Sequence, residues 1–337
     1  MVNISYLYVC EPGAVMGIEG GYFVVKTKDG CITKIPKETL EAVALFGNVT
    51  MTIACTRECL IKGIPVSYFS MSGAYFGRLH STNNTNIIRQ KKQIALSEDK
   101  EFRLEFTKKV IKAKIHNQIV MLRRYTRNSS VDLSEIVSSM QRYEQKIPHC
   151  NSIEQTMGYE GAASRYYFSG LSKLVPKEFQ FVGRSRRPPK DEFNSMLSLG
   201  YTLLMYEIYG EVENNGLNVY AGFMHADQER HPTLASDLME EWRATLIDST
   251  IMSLVVGKEI SIQAFWREEG KPGIFLDKEG LRIFLNKYEK KMRKDIQYLS
   301  GIEGRISYRR AIWEQVHSLV TVVEKRDLSL YHPIIIR

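Results

Sequence analysis

The sequence predicts an α+β protein in which a small β region precedes a larger all-α region. Three observations carry this. Residues 1–77 are filled with short strand-like runs separated by turns that contain Gly and Pro. A polar, turn-rich stretch, HSTNNTN, follows at residues 80–86. Beyond it, apolar residues recur with the 3.6-residue period of a helix through most of the remaining chain. The expected division is therefore a β domain at 1–79, a linker at 80–86 and a helical domain at 87–337. Two domains also suit a chain of 337 residues.

Taken in order, strands are expected at 4–9, 15–18, 22–26, 31–35, 41–46, 65–70 and 74–76. Glu11-Pro12-Gly13, Gly20-Gly21 and Lys28-Asp29-Gly30 punctuate them, the last as a hairpin signal. Residues 51–62 break the pattern. Ile53, Leu60 and Ile61 recur there at i, i+7 and i+8, and Gly63 follows, which predicts one short helix. After the linker, residues 101–125 align Phe102, Phe106, Val110, Ile111, Ile115, Ile119 and Leu122, with Lys and Arg between them. That is a long amphipathic helix with a basic back. Further helices are expected at 132–146, 153–174, 192–210, 234–255, 278–299 and 308–325, with loops at 175–190 and 258–273. There is no internal repeat and no long low-complexity tract.

Composition narrows the function classes. A hydrophobic fraction of 44% with 25% charged residues describes a folded chain. The formal charge of +8 points to a polyanionic partner. Residues 1–80 hold seven Lys and Arg against six Asp and Glu, so a nucleic-acid surface is expected beyond residue 80. Five cysteines at irregular spacing fit a reducing compartment better than a disulfide framework. Cys55 and Cys59 lack a second Cys/His pair and read as buried thiols. No apolar run approaches 18 residues, so a cytoplasmic protein with no membrane partner is expected.

The chemistry is expected in HADQERHPTLASDLMEEWR, residues 225–243. His225 ends an apolar segment, and the helix after it carries Asp237, Glu240 and Glu241 in its first turns. Asp237 can share a face with Glu240 or Glu241, because residues three or four apart on a helix are neighbours. Two carboxylates about 5 Å apart repel by roughly 3 kcal/mol at an effective dielectric near 20, so a partly buried pair wants a counter-charge. A divalent metal would supply it. Acidic residues at a helix start are also favoured by the helix dipole alone, which makes an ordinary solvated surface the competing reading. Glu160, in MGYEGAASRYYF, is a carboxylate in an apolar, small-residue segment; the bland alternative is a salt bridge to Arg165 or a nearby lysine. One carboxylate from each helix and one imidazole would form a mixed N/O site suited to Mg²⁺ or Mn²⁺.

Basic stretches accompany these candidates. Arg184, Arg186, Arg187 and Lys190 lie in a loop stiffened by Pro188-Pro189. Residues 278–310, which include Lys290, Lys291 and Arg293, carry ten Lys and Arg against four Asp and Glu. Such charges suit sequence-independent phosphate contacts, although charge runs are more often solvated helix faces.

Several of these motifs, in this order, resemble the CRISPR spacer-acquisition integrases. The resemblance spans nearly the whole chain. It rests on Gly158-Tyr159-Glu160-Gly161, on Arg187-Pro188-Pro189 with Asp191, Asn194, Ser198, Gly200 and Tyr201, on His225, and on Asp237-Leu238-Met239-Glu240 with Trp242-Arg243. Lys114, Asn117 and Gln118 also resemble a family pattern. The chain departs from it at Ala244, where the family commonly has proline, and Glu241 beside Glu240 leaves two candidates for one ligand. The resemblance implies a β-sandwich-like N-terminal domain that forms a homodimer and a helical C-terminal domain that holds the metal. It implies Glu160, His225 and Glu240 as catalytic metal ligands, with Asp237 as an acidic neighbour; Arg243 is expected among the DNA-binding cations. It further implies metal-dependent integration of prespacer DNA into a CRISPR repeat, with a small ferredoxin-like Cas partner. A structural, non-catalytic DNA-binding protein is the main alternative. A zinc hydrolase is disfavoured by the absence of HExxH.

Overall fold

The computed structural model describes residues 5–127, 129–267, 270, 272–296 and 304–336. The chain forms two compact units: residues 1–84 together with 276–285, and residues 85–275 together with 286–337. The first unit thus takes in a short later segment as well as the N-terminal region.

The N-terminal strands make two four-stranded sheets. One has the order β1 (Ser5–Val9), β5 (Leu40–Phe46), β7 (Val66–Phe69), β8 (Tyr75–Leu79). Its first three strands are parallel and the last is antiparallel. The other has the order β4 (Ile32–Pro36), β3 (Tyr22–Lys26), β2 (Val15–Glu19), β6 (Thr50–Met51). The turn between β3 and β4 is closed by the Gly30 amide donating to the Thr27 carbonyl at 3.1 Å, with Gly30 at φ 78°. Met16, Phe23 and Val25 of one sheet share a core with Val9, Val43, Leu45 and Val66 of the other. Helix α1 (Ile53–Lys62) starts at Thr52, whose side chain accepts from the Cys55 amide, and ends at Gly63 in the left-handed conformation. Cys55 and Cys59 on its inner face are buried in that core.

The second unit is helical. It contains α2 (Ile87–Glu98), α3 (Lys100–Thr126), α4 (Ser134–Lys146), α5 (Ile153–Leu174), α6 (Glu192–Asn214), α7 (Thr233–Met239), α8 (Ser249–Val256) and α10 (Tyr308–Lys325), while α9 (Lys278–Met292) crosses the boundary between the units. No described helix is long and apolar enough to cross a membrane. Helix α3 is the centre of the unit, flanked by α2, α4 and α5. The seven apolar residues that predict it are all buried, and so are Thr107, Lys114, Asn117 and Gln118. A basic back therefore does not run the length of this helix, because α3 is enclosed on more than one side. Phe106 anchors it, with ring centroids 5.1 Å from Phe223 and 5.2 Å from Tyr331.

Two expected helices end differently. The stretch 234–255 is not continuous: α7 stops at Met239, residues 243–248 wind as a π-helix, and α8 follows. In the turn between α7 and the π-helix, two consecutive large side chains meet the same far segment of the chain. Glu241 reaches Tyr331, Gln315 and the Ile334 amide, and the Trp242 indole donates to Gln315 at 2.8 Å. The stretch 278–299 stops at Met292, after which Asp295–Ile296 pair with Ile306–Ser307; its last three positions lie outside the described residues.

Asp248, at the end of the π-helix, ties three elements together. Its two oxygens accept the hydroxyls of Tyr167 on α5 and Tyr201 on α6, each at 2.6 Å. Burial pushes its carboxyl up to about 6, although both tyrosines and the nearby Arg243 and Arg184 pull the other way. A folded-state value above the ordinary 3.8 means the folded protein holds the proton more tightly, so this group costs stability as pH rises from about 4 to about 6. Asp248→Asn removes that cost. Its melting temperature relative to the parent protein is expected to rise by a few degrees between pH 4 and pH 7; a pH-independent difference would contradict the assignment.

Candidate active site

The site forms where α3, α5 and the α7-to-π junction converge. Helix α5 begins at Ser152, which caps the Gln155 amide, and carries Glu160 two turns in. A Cβ placed on Gly158 or Gly161 would meet nothing within 4 Å, so the small residues around Glu160 leave open volume instead of admitting a close backbone. Glu160 Oε1 accepts from Ser164 at 2.7 Å and from the Lys114 ammonium at 2.5 Å. The counter-charge is thus Lys114, from α3.

The same ammonium lies 2.6 Å from Glu240 Oε2. Arg243 Nε also lies close to that oxygen, at 2.9 Å. Glu240 Oε2 and Arg243 Nε are buried, and neither makes a hydrogen bond of proper angular geometry, so these contacts are ionic. Burial raises the Glu240 carboxyl, but Arg243, Lys114 and His225 outweigh it and hold the group at about 2. Burial likewise disfavours charge on Lys114, and Glu240 and Glu160 reverse the effect, leaving the ammonium above its ordinary range.

His225 is placed by Asp237. Asp237 is fully buried; its Oδ2 accepts the amides of Phe223 at 2.7 Å and Met224 at 2.9 Å, and its Oδ1 accepts the His225 amide at 3.2 Å. Oδ1 also meets His225 Nδ1 at 2.7 Å. With Nδ1 engaged, Nε2 is the nitrogen left to a ligand, an arrangement that fixes the tautomer and direction of the ring. Burial lowers the imidazole's proton affinity, but the bond to Asp237 and the field of Glu240 raise it overall. Gly222 makes the close approach possible. A Cβ there would sit 2.7 Å from Asp237 Oδ2 and 3.0 Å from the Thr233 carbonyl carbon.

Glu241 is turned away from this cluster. Its oxygens accept the Tyr331 hydroxyl at 2.7 Å, the Ile334 amide at 2.7 Å and the Gln315 amide nitrogen at 3.0 Å, and burial pushes its carboxyl up to about 7. Of the two adjacent glutamates, Glu240 is the one that shares a cation with Glu160. Asp237 is saturated by backbone amides and acts on His225.

The cations expected at a DNA surface divide in two. Arg186, Arg187, Lys190, Lys290 and Arg293 are exposed. Arg184 is engaged internally, donating to Asn194 Oδ1 at 3.0 Å and Ser198 at 3.2 Å. Arg243 lies over the Tyr201 ring at 4.5 Å, beside Glu240. Lys291 packs over Tyr308 at 4.8 Å, and burial, with Arg124 and Lys294 nearby, pulls its amine down to about 7. These three differ from the expectation because their side chains have buried partners. Asn194, capped by Asp191, also receives the Ser185 amide and donates to the Gly183 carbonyl, which pins the basic loop to the start of α6.

Lys114 is the site residue that the charge and spacing arguments pass over, although a signal exists. It falls four residues after Val110 and eight after Phe106, on the apolar face of α3. The donor set suits a hard divalent cation: two carboxylates that share one cation position, an oriented imidazole, and a buried Glu240 oxygen without an aligned hydrogen bond. Among the described residues, no three His, Cys, Asp or Glu side chains are already gathered closely enough to hold such an ion.

Asp237→Asn sets an amide NH₂ where backbone N–H groups converge. It is expected to cost about 2–4 kcal/mol in denaturant unfolding and to speed hydrogen exchange at Phe223, Met224 and His225. Unchanged protection of those amides would remove the anchoring role.

Residues 7–290 match the family described as CRISPR associated protein Cas1. The chain is 35% identical over 318 residues to a CRISPR-associated endonuclease Cas1 of Mycobacterium tuberculosis, covering 94% of each protein. It is similar in fold to a casposase bound to integration product, with a TM-score of 0.85, 24% identity, and coverage of 97% of this chain and 93% of that one. It also resembles a chain of a partial Cas6-RT-Cas1--Cas2 complex, with a TM-score of 0.69, 26% identity, and coverage of 97% and 98%.

Proposed function

The chain belongs to the Cas1 family, and on that premise we propose that it is a metal-dependent DNA integrase and endonuclease that inserts prespacer DNA into a CRISPR array. The observation that carries the reading is the convergence of Glu160 and Glu240, from separate helices, on one cation position. The name of the Mycobacterium relative supports nuclease chemistry, and that of the casposase structure supports strand joining.

In this reading Glu160, His225 and Glu240 hold Mg²⁺ or Mn²⁺. When bound there, such an ion would supply positive charge that stabilises the phosphate during attack by a prespacer 3′-hydroxyl. Asp237 keeps Nδ1 of His225 occupied so that Nε2 faces the ligand. Arg243, held over Tyr201, keeps Glu240 ionised. One phosphodiester replaces another, so the chain's contribution is positioning and fixed charge. With water in place of the hydroxyl, the same groups support hydrolysis.

The exposed cations Arg186, Arg187, Lys190, Lys290 and Arg293 form the double-stranded DNA surface, which takes both prespacer and repeat. The composition of the Cas6-RT-Cas1--Cas2 complex supports a Cas2 partner. In this reading that partner is the small ferredoxin-like protein, and the N-terminal β region forms a homodimer.

Glu160→Ala and His225→Ala are each expected to lower Mn²⁺- or Mg²⁺-dependent joining of a 3′-hydroxyl duplex into a repeat plasmid by about 100-fold or more. Affinity for the duplex should stay within about threefold of the parent protein. Normal joining by either folded variant would remove the metal-site assignment, and DNA binding by the parent protein without joining under any metal condition would leave a non-catalytic DNA-binding protein as the reading.

Arg186→Ala combined with Arg187→Ala is expected to weaken DNA binding and to flatten its salt dependence. Each lost phosphate contact lowers the log–log slope by about 0.9. A titration of affinity against salt reads this directly, and an unchanged slope would assign the loop another role.

A further inference from the structure

Lys114 occupies the position that the two carboxylates offer to a cation. Its ammonium lies 2.5 Å from Glu160 and 2.6 Å from Glu240, and its side chain is only 10% exposed. With Arg243 also on Glu240, the two negative charges of Glu160 and Glu240 already face two positive ones. A divalent ion entering this arrangement would add two uncompensated positive charges in a buried place, beside an ammonium at the same oxygens. Burying net charge without a partner is strongly unfavourable. A DNA phosphate brings negative charge, and it gives an ammonium that has left its carboxylates a new anion to pair with.

We propose that Lys114 is the resident cation of the site, and that its ammonium makes metal binding depend on the arrival of a DNA phosphate. The proposal rests on the metal reading above and adds a role for Lys114 to it. Lys114 competes for Glu160 and Glu240 when DNA is absent and is drawn toward the phosphate when DNA is present. Free metal is then held weakly, and the loaded site assembles on substrate, which suppresses hydrolysis by an unengaged enzyme. The coupling is reciprocal, so metal tightens DNA to the same degree that DNA tightens metal.

The test is Mn²⁺ binding to the full chain, read by the electron paramagnetic resonance signal of the free ion, with and without a short duplex bearing 3′-hydroxyl ends. The parent protein is expected to bind Mn²⁺ about tenfold or more tightly when the duplex is present. Lys114→Met and Lys114→Gln are expected to tighten DNA-free Mn²⁺ binding by about tenfold and to reduce the effect of DNA to less than about threefold. Melting curves should show both variants less stable without metal, because Glu160 and Glu240 lose their shared cation, and recovering when Mn²⁺ alone is added. Equal Mn²⁺ affinity of the parent protein with and without DNA would overturn the proposal, and this measurement requires neither variant to fold. Variants that bind Mn²⁺ no more tightly than the parent would overturn it as well. A parent protein that takes up no Mn²⁺ in either condition would instead remove the metal site itself.

Discussion

Two carboxylates enclosed in a helical core must find positive charge, and here they find the same ammonium. Most of the second unit is arranged to make that possible. Helix α3 delivers Lys114 from its apolar face, α5 delivers Glu160, and the break after α7 delivers Glu240 with Arg243 beside it. A buried charge pair gains little over an apolar core of equal volume, and it is costly once one partner is removed. A cluster of this kind is poor evidence of a device for stability, whereas it is well suited to a site that changes occupants.

The neighbouring polar residues keep that exchange local. Asp237 spends its lone pairs on three backbone amides and one imidazole, so it stays fixed whatever binds nearby. Glu241 is fastened into the core by Tyr331, Gln315 and the Ile334 amide. Asn117 reinforces the same junction, donating to the carbonyls of Glu241 and Ile334 and accepting the Ile336 amide. The C-terminal segment thus braces the turn that presents Glu240. Satisfied networks of this sort hold one geometry, because every alternative leaves a buried donor or acceptor without a partner.

How much of this could be read in the sequence follows from the range of the interactions. Helix α5 begins and ends as expected, and α10 does too, because Ser152 and Ser307 cap them locally and the apolar period persists between the ends. The hairpin at Gly30 and the stop at Gly63 were legible for the same reason: a positive φ is a property of one residue. The break after Met239 was not legible. Its causes are Gln315, Tyr331 and Ile334, more than seventy residues away, and by local pattern 234–255 is a good helix. Helix α2 was hidden for another reason: Gln93, one of its two buried residues, is polar and binds the backbone of residues 218 and 221, so the apolar stripe is thin.

The site divides along the same line. Glu160, His225 and the acidic helix could be singled out because a polar group in an apolar segment is conspicuous, whereas the choice between Glu240 and Glu241 depends on which side chain meets α3. Lys114 shows the limit most clearly. In a helix with many lysines it reads by charge as solvated, and apart from its place in the family pattern, its register with Phe106 and Val110 is what sets it apart. Net charge is an equally blunt guide. Arg184, Arg243 and Lys291 count toward the basic total but are engaged with Asn194, Glu240 and Tyr308, so the surface a polyanion meets is less positive than composition implies. A cation in the site acts through its distance to two oxygens, and a cation on the surface acts through the field it adds. The sequence reports the sum of both, and the fold separates them.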